Sequence, residues 1–316
     1  MPTENDQKPN YIFFGTPEFA ADVLEKLLNR GIIPKAIVCN PDKPVGRKKV
    51  ITPPATKLLV LEHQLQDPTL DITILQPEAL DEAFVRTLQA FEPEVFVIAA
   101  YAKLIKQDIL AIPKHGTIGV HPSLLPYHRG ASPMQATLLA GEDIAGVTLF
   151  LVDEKMDHGP IVAQETVQIG TMNYTQLSKK LAELGGELVA KTLPGFISGA
   201  ITPQEQDHGK ATFTRKFSTE DAFIDIHDIE QAQLEGGAIA QQIERKIRAL
   251  NPEPGTWTMA TAISNIHFGK EKRVKLLDAD ISVNNTLIIK KIHIEGSKPL
   301  ELHRAKPQSS MGIDKN

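Results

Sequence analysis

The feature that most constrains the fold is an alternation of short apolar runs with helical patterns across the first 200 residues. The apolar runs cover residues 11–15, 36–39, 71–75, 94–100, 117–120 and 146–152. Helical periodicity separates several of them, notably over residues 16–31, 79–90 and 132–140. Continuous apolar runs are typical of strands buried on both faces, as in a parallel sheet covered by helices. The sequence therefore predicts an α/β domain with a doubly wound, mostly parallel sheet.

The chain of 316 residues is long enough for two domains. A last helical pattern at residues 174–198 closes the α/β domain, which we predict to span residues 1–201. The polar segment 202–217 is predicted as a linker. Residues 218–316 form a smaller second domain, with one helix at about 229–250 followed by β-rich segments. We expect these segments to form an OB-like barrel.

Composition narrows the class of protein. Cys39 is the single cysteine, which excludes an internal disulfide and a multi-cysteine metal site and fits a reducing compartment. The first ten residues are polar, and no apolar run approaches the ~18 residues of a membrane span. We therefore expect a cytoplasmic protein that has no membrane partner.

Charge is unevenly distributed along the chain. The net charge is −5, yet residues 209–316 hold 16 Lys and Arg against 14 Asp and Glu, which leaves 18 against 25 in the rest. A solvated charged surface gives such counts by itself. The second domain is nevertheless the part that is better suited to approach a polyanion.

Nucleotide-binding signatures are absent from the first domain. The sequence has no phosphate loop and no G-x-G-x-x-G after the first apolar run. Ligands of open α/β sheets bind at the carboxyl ends of the strands, where Tyr101, His121 and residues 153–157 lie. Each residue alone has an ordinary structural interpretation. A histidine and an aspartate at adjacent strand ends can pair, however, so that His121 and Asp157 form a candidate acid–base pair.

Five motifs carry a resemblance to a known family. They are FFGTPEFA (13–20), NPDKPVGRKK (40–49), VHPSLLPYHRGASPMQ (120–135), MDHGPI (156–161) and LNPEPGTW (250–257). In order and spacing they resemble the methionyl-tRNA formyltransferases over about residues 11–260. The HPSLLPxxRG core alone indicates only the wider folate-dependent formyltransferase group, which includes glycinamide ribonucleotide and sugar-amine formyltransferases.

The resemblance implies transfer of a formyl group from 10-formyltetrahydrofolate to the α-amine of methionyl initiator tRNA, without a metal. It implies that His121 is the catalytic histidine and that Asp157 pairs with it. The folate co-substrate would bind at a turn after the fifth apolar run and in a pteridine pocket lined mainly by backbone groups. The residues implied for these sites are Ser123, Leu124, Leu125 and Pro126 for the turn, and Ile98 and Tyr101 for the pocket.

One residue departs from the family pattern. Gly119 stands where the family has a catalytic asparagine whose amide donates a hydrogen bond to the formyl oxygen. Loss of such a donor typically costs ~100–1000-fold in rate. Either a neighbour such as His158 or a water molecule takes the place of this donor, or the enzyme is slow, or catalysis is lost. We also expect Gly119→Asn to fit sterically if the backbone at position 119 is extended.

The resemblance also implies how tRNA binds. The Pro- and Gly-containing loop at residues 40–54 would insert toward the acceptor end, although a solvated flexible loop is an alternative. The predicted tRNA-binding residues are Lys43, Arg47, Lys48, Lys49 and Arg129. In the second domain, further cations are available for phosphate contacts: Arg245, Lys246, Arg248, Lys270, Lys272, Arg273 and Lys275.

Two other functions remain open from the sequence. The chain could be a formyltransferase that acts on a small amine such as an amino sugar, although the basic loop and the second domain argue against it. It could also be a non-catalytic relative that binds folate or tRNA, with Gly119 marking lost chemistry. We expect a monomer.

Overall fold

The computed structural model describes residues 9–46, 48–264 and 266–302. The chain divides into two compact units at Lys216–Phe217. Residues 202–216, predicted as most of a linker, belong to the first unit, where they pair with two of its strand segments. None of the described helices has the length and apolar character that a membrane span requires.

The first unit contains eleven strand segments, six α-helices and a 3₁₀ turn in its described part. The strands are β1 (Tyr11–Phe14), β2 (Ala36–Val38), β3 (Lys43–Val45), β4 (Val50–Thr52), β5 (Thr73–Leu75), β6 (Val95–Ala99), β7 (Thr117–His121), β8 (Arg129–Gly130), β9 (Ile144–Leu151), β10 (Ile161–Gln168) and β11 (Phe213–Thr214). The helices are α1 (Glu18–Asn29), α2 (Ala55–Gln66), α3 (Glu82–Gln89), α4 (Gln107–Leu110), α5 (Pro133–Ala140) and α6 (Tyr174–Ile197), and the 3₁₀ turn is His208–Lys210.

Seven of these strands form one sheet in the order β10-β9-β7-β6-β1-β2-β5. The five strands from β5 to β7 are parallel, whereas β9 is antiparallel to β7 and β10 is antiparallel to β9. The predicted α/β fold with a mostly parallel sheet is confirmed. Strand β10 lies outside the predicted apolar runs because it is an edge strand, with several exposed residues along its length.

Helices cover both faces of the sheet. On one face, β1, β2 and β6 share a core cluster with α3 and α4, whose members are Ile12, Phe14, Ala36, Val38, Phe84, Leu88, Phe96 and Ile109. Gly119 pairs in parallel register with Ile98, so it faces the same side, and His121 follows on that side two residues later. On the other face, a Cβ added to Gly185 of α6 would contact Val120 and Val147, so α6 packs closely on β7 and β9.

The sheet has a topological switch point beside β1. Its neighbours are β2 on one side and β6 on the other, and β7 follows β6. In such sheets the ligand crevice lies outside the carboxyl ends of the strands at this point. The ends of β6 and β7, with Tyr101 and His121, therefore lie at the expected crevice.

The second unit consists of two helices and an antiparallel sheet in its described part. The elements are α7 (Ile226–Leu234), α8 (Ala238–Leu250), β12 (Trp257–Ile263), β13 (Ile266–Ile281), β14 (Leu287–Ile294) and β15 (Leu300–Glu301). The single helix predicted at 229–250 is wrong, because Gly236 and Gly237 adopt φ of 70° and 75° and interrupt it. The described strands form a meander in the order β12-β13-β14-β15, with no pairing between β12 and β15 that would close a barrel.

Candidate active site

The imidazole of His121 is buried at the end of β7, and the residue is 6% exposed. Its Nε2 lies 3.0 Å from the backbone carbonyl oxygen of His128. A carbonyl oxygen only accepts hydrogen bonds, so Nε2 carries the proton of the neutral ring and Nδ1 carries the lone pair. The contact with His128 therefore leaves Nδ1 as the basic atom of the ring.

Asp157 faces that basic atom. Its Oδ2 lies 3.7 Å from Nδ1 of His121, and the same oxygen accepts a hydrogen bond of 2.7 Å from the backbone N–H of Gly130. Asp157 has a left-handed backbone conformation, with φ of 49°, which short polar side chains tolerate. A separation of 3.7 Å exceeds a hydrogen bond, so in the free protein the carboxylate acts on His121 through its charge.

Burial sets the protonation state of His121. Desolvation lowers the pKa of the imidazole below its usual 6.5, and the nearby His128 lowers it further. The negative charge of Asp157 and the hydrogen bond to the His128 carbonyl oppose this shift without cancelling it. His121 is therefore neutral, and able to accept a proton, at pH 7.

The turn at residues 123–126, predicted to bind folate, is held in place by the buried side chain of Thr148 and by the exposed residue Gln164. The hydroxyl of Thr148 donates to the carbonyl oxygen of Ser123 over 2.7 Å and accepts from the N–H of Leu125 over 3.0 Å. The amide of Gln164 donates to Thr148 Oγ1 over 2.8 Å and to the Leu125 carbonyl oxygen over 2.9 Å. These bonds fix the turn before a ligand arrives, which lowers the entropic cost of binding.

The predicted pteridine pocket contains a polar atom without a protein partner. Several buried side-chain atoms of the described residues have no hydrogen-bond partner, and the hydroxyl of Tyr101 in this pocket is one of them. Burial, with a smaller contribution from Cys39, raises the pKa of Tyr101 to about 12, so the hydroxyl stays protonated. Buried polar groups are normally satisfied, so this hydroxyl is a candidate contact for a ligand. Ile98 and Tyr101 pack on the same core cluster at the end of β6.

The burial of Arg129 contradicts one prediction. Arg129 was expected to contact tRNA, but the residue is only 3% exposed. Its Nε and Nη2 donate to Oε1 of Gln206 over 3.2 and 2.6 Å, and Nη2 also donates to Nδ1 of His208 over 2.9 Å. The amide nitrogen of Gln206 donates to the carbonyl oxygens of Asp157 and Gly159 over 3.0 and 2.7 Å. The guanidinium therefore supports the loop of Asp157, and we withdraw it from the tRNA-contacting set.

A second histidine–aspartate pair lies beside this network. Nδ1 of His158 lies 2.7 Å from Oδ2 of Asp153, so it carries a proton that it donates to the carboxylate. The ring of His158 stacks on that of His208, with centroids 4.1 Å apart and an interplanar angle of 5°. The idea that His158 supplies the missing donor stays a prediction.

Gly119 has no room for a side chain. Its φ lies outside the left-handed region, so the backbone imposes no barrier to other residues. A Cβ at this position, however, would lie 2.5 and 2.7 Å from two ring carbons of Phe150 and 3.1 Å from Val152. The expectation that Gly119→Asn fits is therefore wrong for this structure, because the neighbouring strand fills the space.

The predicted tRNA-binding loop contains an antiparallel hairpin of β3 and β4. Lys43, Lys48 and Lys49 are exposed on it, and Arg47 lies outside the described residues. Three apolar side chains of the hairpin are also more than half exposed: Val45, Val50 and Ile51. The hairpin thus presents both charge and apolar surface.

The base of this hairpin is anchored by one carboxylate. Asp42 accepts two hydrogen bonds from Nζ of Lys57, at 2.9 and 3.0 Å, and one from the amide of Gln76 at 2.8 Å. The amide of Gln76 also donates to the carbonyl oxygen of Asn40. These bonds hold the chain where it leaves the sheet.

In the second unit, several predicted phosphate-binding cations have partners within that unit. Lys246 donates to the carbonyl oxygen of Phe223 over 2.7 Å, and burial lowers its pKa. The guanidinium of Arg273 lies 4.0 Å from the ring centroid of Trp257. Lys270 and Lys275 are exposed.

Comparison with known protein families identifies the family of this chain. Residues 9–193 match the formyl transferase family, and residues 230–297 match the formyl transferase C-terminal domain. The chain belongs to the formyl transferase family. The family's N-terminal domain spans the whole sheet with His121 and Asp157, and its C-terminal domain spans α8 with the meander β12 to β14.

A relative is the methionyl-tRNA formyltransferase of Chloroflexus aurantiacus, which is 40% identical to this formyl transferase over 249 residues, 78% of this chain and 75% of the relative. Two solved structures share the fold. The methionyl-tRNA formyltransferase from Clostridium thermocellum has a TM-score of 0.56 and 17% identity, covering 90% of this chain and 98% of the other. HypX from Aquifex aeolicus, solved in complex with tetrahydrofolic acid, has a TM-score of 0.59 and 16% identity, covering 93% of this chain and 46% of HypX.

The sequence predicted the two central residues but missed those that support them. His121 and Asp157 come together as expected. Thr148 and Gln206 lie outside the motifs, and His128 lies inside the motif at 120–135 but was assigned no role. Among the described residues, no group of three or more His, Cys, Asp or Glu side chains is arranged to hold a metal ion.

Proposed function

We propose that this chain transfers a formyl group from 10-formyltetrahydrofolate to the α-amine of methionyl initiator tRNA. The observation that carries the proposal is the His121–Asp157 pair at the carboxyl end of β7, in a formyl transferase whose relative at 40% identity is a methionyl-tRNA formyltransferase. The exposed basic hairpin favours tRNA over a small amine as the acceptor.

In the first step the amine nitrogen attacks the formyl carbon, and the carbonyl electron pair moves onto oxygen. The attacking nitrogen gives up a proton, which Nδ1 of His121 accepts, since Nε2 is occupied by the His128 carbonyl. Asp157 then faces an imidazolium, and its negative charge stabilises that cation. The charge of Asp157 therefore stabilises the transition state, in which His121 is partly protonated, more than it stabilises the ground state with its neutral imidazole.

In the second step the tetrahedral intermediate collapses and the electron pair on oxygen re-forms the carbonyl. The bond between the formyl carbon and N10 of the folate breaks, and N10 takes the proton that His121 holds. The histidine returns to its neutral state, and formyl-methionyl-tRNA and tetrahydrofolate leave. The same imidazole thus serves as base and then as acid.

For the co-substrate, we place the folate against the turn at residues 123–126 and the end of β6. The turn is rigid because Thr148 and Gln164 bind its backbone. The protonated hydroxyl of Tyr101 supplies a hydrogen-bond donor for a polar heterocycle. A pteridine ring carries acceptor nitrogens, so its chemistry fits this hydroxyl.

For the tRNA, we assign the hairpin of β3 and β4 to the acceptor end and the second unit, from residue 217, to further phosphate contacts. Residues 1–201 would carry the chemistry. Support for this division comes from the exposed lysines of the hairpin and the exposed Lys270 and Lys275 of the second unit.

The proposal is tested by incubating the purified chain with methionyl initiator tRNA and 10-formyltetrahydrofolate and measuring formyl-methionyl-tRNA. A nucleotide-linked amino sugar serves as the competing acceptor. We expect the methionyl initiator tRNA to be formylated and the amino sugar not to be. Turnover with the amino sugar alone would contradict the proposal, and the absence of turnover with both acceptors would indicate a non-catalytic binding protein.

The protonation state of His121 gives a prediction that needs no substrate. Because burial lowers the pKa of the imidazole, we expect its titration midpoint below 6.5, with the proton of the neutral ring on Nε2. Between pH 6.5 and that midpoint the unfolded chain binds a proton that the folded chain does not, so stability falls as the pH decreases. Imidazole ¹⁵N shifts report both the midpoint and the tautomer.

Asp157→Asn serves as the companion variant in that titration. It removes the charge that raises the pKa of His121, so the midpoint should move to still lower pH. An upward shift in the variant would show that the pair is wrongly assigned. A wild-type midpoint above 6.5 would show that burial does not dominate the pKa of His121.

The hairpin gives a salt-dependent prediction. Replacing Lys43, Lys48 and Lys49 together by alanine should raise KM for tRNA while leaving KM for folate unchanged, because these exposed cations would contact phosphates. The difference from wild type should shrink as salt is added, since screening weakens the same contacts.

The matched control replaces three exposed lysines of α6, namely Lys179, Lys180 and Lys191. It removes the same charge from another surface and should leave KM for tRNA close to wild type. Equal effects of the two triple variants would mean that only net charge matters. An equal loss of folate and tRNA affinity in the hairpin variant would mean that the hairpin is not a tRNA site.

A further inference from the structure

We propose that Phe150 is a positioning residue for His121, and that Phe150 and Gly119 act as one steric unit. In this unit the aromatic ring occupies the space that a side chain at position 119 would need. The same ring lies beside the imidazole and fixes its place. The inference deepens the proposed function, on which its kinetic consequences rest.

The two residues of the unit are direct cross-strand neighbours. Gly119 of β7 pairs with Phe150 of the antiparallel strand β9. A Cβ on Gly119 would lie 2.5 and 2.7 Å from two ring carbons of Phe150, closer than real Cβ contacts come. The ring therefore lies over the glycine, as aromatic residues do when they cover a glycine on the neighbouring strand.

The ring also faces the catalytic pair. Its centroid lies 6.4 Å from that of the His121 imidazole, at an interplanar angle of 89°. Aromatic rings favour such an edge-to-face arrangement. The imidazole of His121 is thus held by the ring of Phe150 and by the carbonyl oxygen of His128.

If Phe150 only covered Gly119, its burial would be explained, but its edge-to-face orientation toward the imidazole of His121 would not. Phe150 is only 5% exposed, so its ring keeps water away from one side of His121. A smaller residue would let the imidazole tilt and would admit water to it. A tilt of this kind moves Nδ1 away from the attacking amine, and small displacements of a reacting group slow catalysis strongly.

The test compares Phe150→Leu with Phe196→Leu, a matched control in which an equally buried ring of α6 is truncated. We expect both variants to lose a similar amount of Tm. Only Phe150→Leu should lower kcat, by about 10–100-fold, with each KM within about 2-fold of wild type. Only this variant should move the NMR midpoint of His121 upward toward 6.5, because water reaches the ring.

The steric unit is tested by a double-mutant cycle on Tm. Gly119→Ala alone should lower Tm, since its Cβ meets the ring of Phe150. In the presence of Phe150→Ala, the same change at position 119 should cost little, so the two losses should not add. The cycle can be repeated with Gly119→Asn where that variant folds.

Two results would overturn the inference. Additive Tm losses in the cycle would show that the two positions are independent. A Phe150→Leu variant with the kcat and His121 midpoint of the Phe196→Leu control would show that the ring is only a cover. The Tm and NMR measurements use the free protein, so a wild-type chain without formyl transfer would refute the proposed function separately.

Discussion

We expect His121→Ala to lower kcat by about 100–10,000-fold, the range for removing a general acid–base group. Nδ1 is the only ring atom of His121 that can accept a proton, because Nε2 donates to the His128 carbonyl. The measurement is single-turnover formylation of methionyl initiator tRNA, which isolates the chemical step.

The fold should survive this change. His121 lies at the end of a strand. Its removal leaves the carbonyl oxygen of His128 without a donor and leaves a small space where the imidazole was. His115→Ala is the control, because it makes the same substitution at an exposed position just before the same strand. Added imidazole should restore part of the activity of His121→Ala, since it can enter the space and accept the proton. A folded variant with nearly wild-type kcat would mean that His121 is not the base.

The position of His121 was predictable because it directly follows an apolar run that ends at residue 120. The proximity of Asp157 does not follow from strand ends, because β9 is antiparallel to β7 and its carboxyl end lies beside the start of β7. The loop after β9 folds back so that Asp157 reaches His121 and Gly130. The tautomer was not predictable, since it depends on a carbonyl oxygen seven residues away whose position is set by the turn.

The lack of space for a side chain at Gly119 shows a different limit of prediction from sequence. Local reasoning asks only whether the backbone tolerates a side chain, and at position 119 it does. The obstacle is the ring of Phe150, which is 31 residues away in sequence and lies opposite only because β9 is antiparallel to β7. Hydrophobic runs predict strands but not their direction or pairing partner, so this contact required the structure.

The segment after α6 shows the same limit on a larger scale. Its polar composition indicates a linker. A loop whose side chains form hydrogen bonds at a functional site has the same polar composition, so composition does not distinguish the two. Gln204 bridges to Ile161, and β11 pairs with β8. A single buried amide, that of Gln206, then joins Arg129 to the loop of Asp157. Nothing in the local pattern distinguishes Gln206 from its neighbours.

That amide gives the second large prediction. Gln206→Leu should destabilise the protein by about 3 kcal/mol, because the buried guanidinium of Arg129 loses an acceptor that it contacts through two nitrogens. It should also lower kcat by about 100-fold, because the carbonyl oxygens of Asp157 and Gly159 lose the donor that holds their loop. Urea unfolding and single-turnover kinetics measure the two effects.

Two further variants separate these effects. Gln204→Leu makes the same change at an exposed position two residues earlier, where the chain contacts the sheet through its backbone, and it should behave as wild type. Adding Arg129→Met to Gln206→Leu removes the buried guanidinium that has lost its main acceptor, so the double variant should regain much of the lost stability. Its kcat should stay low, since the loop of Asp157 still lacks its donor. If kcat recovered together with stability, the amide would serve only as a hydrogen-bond acceptor for the buried arginine, and its role in positioning Asp157 would have to be abandoned.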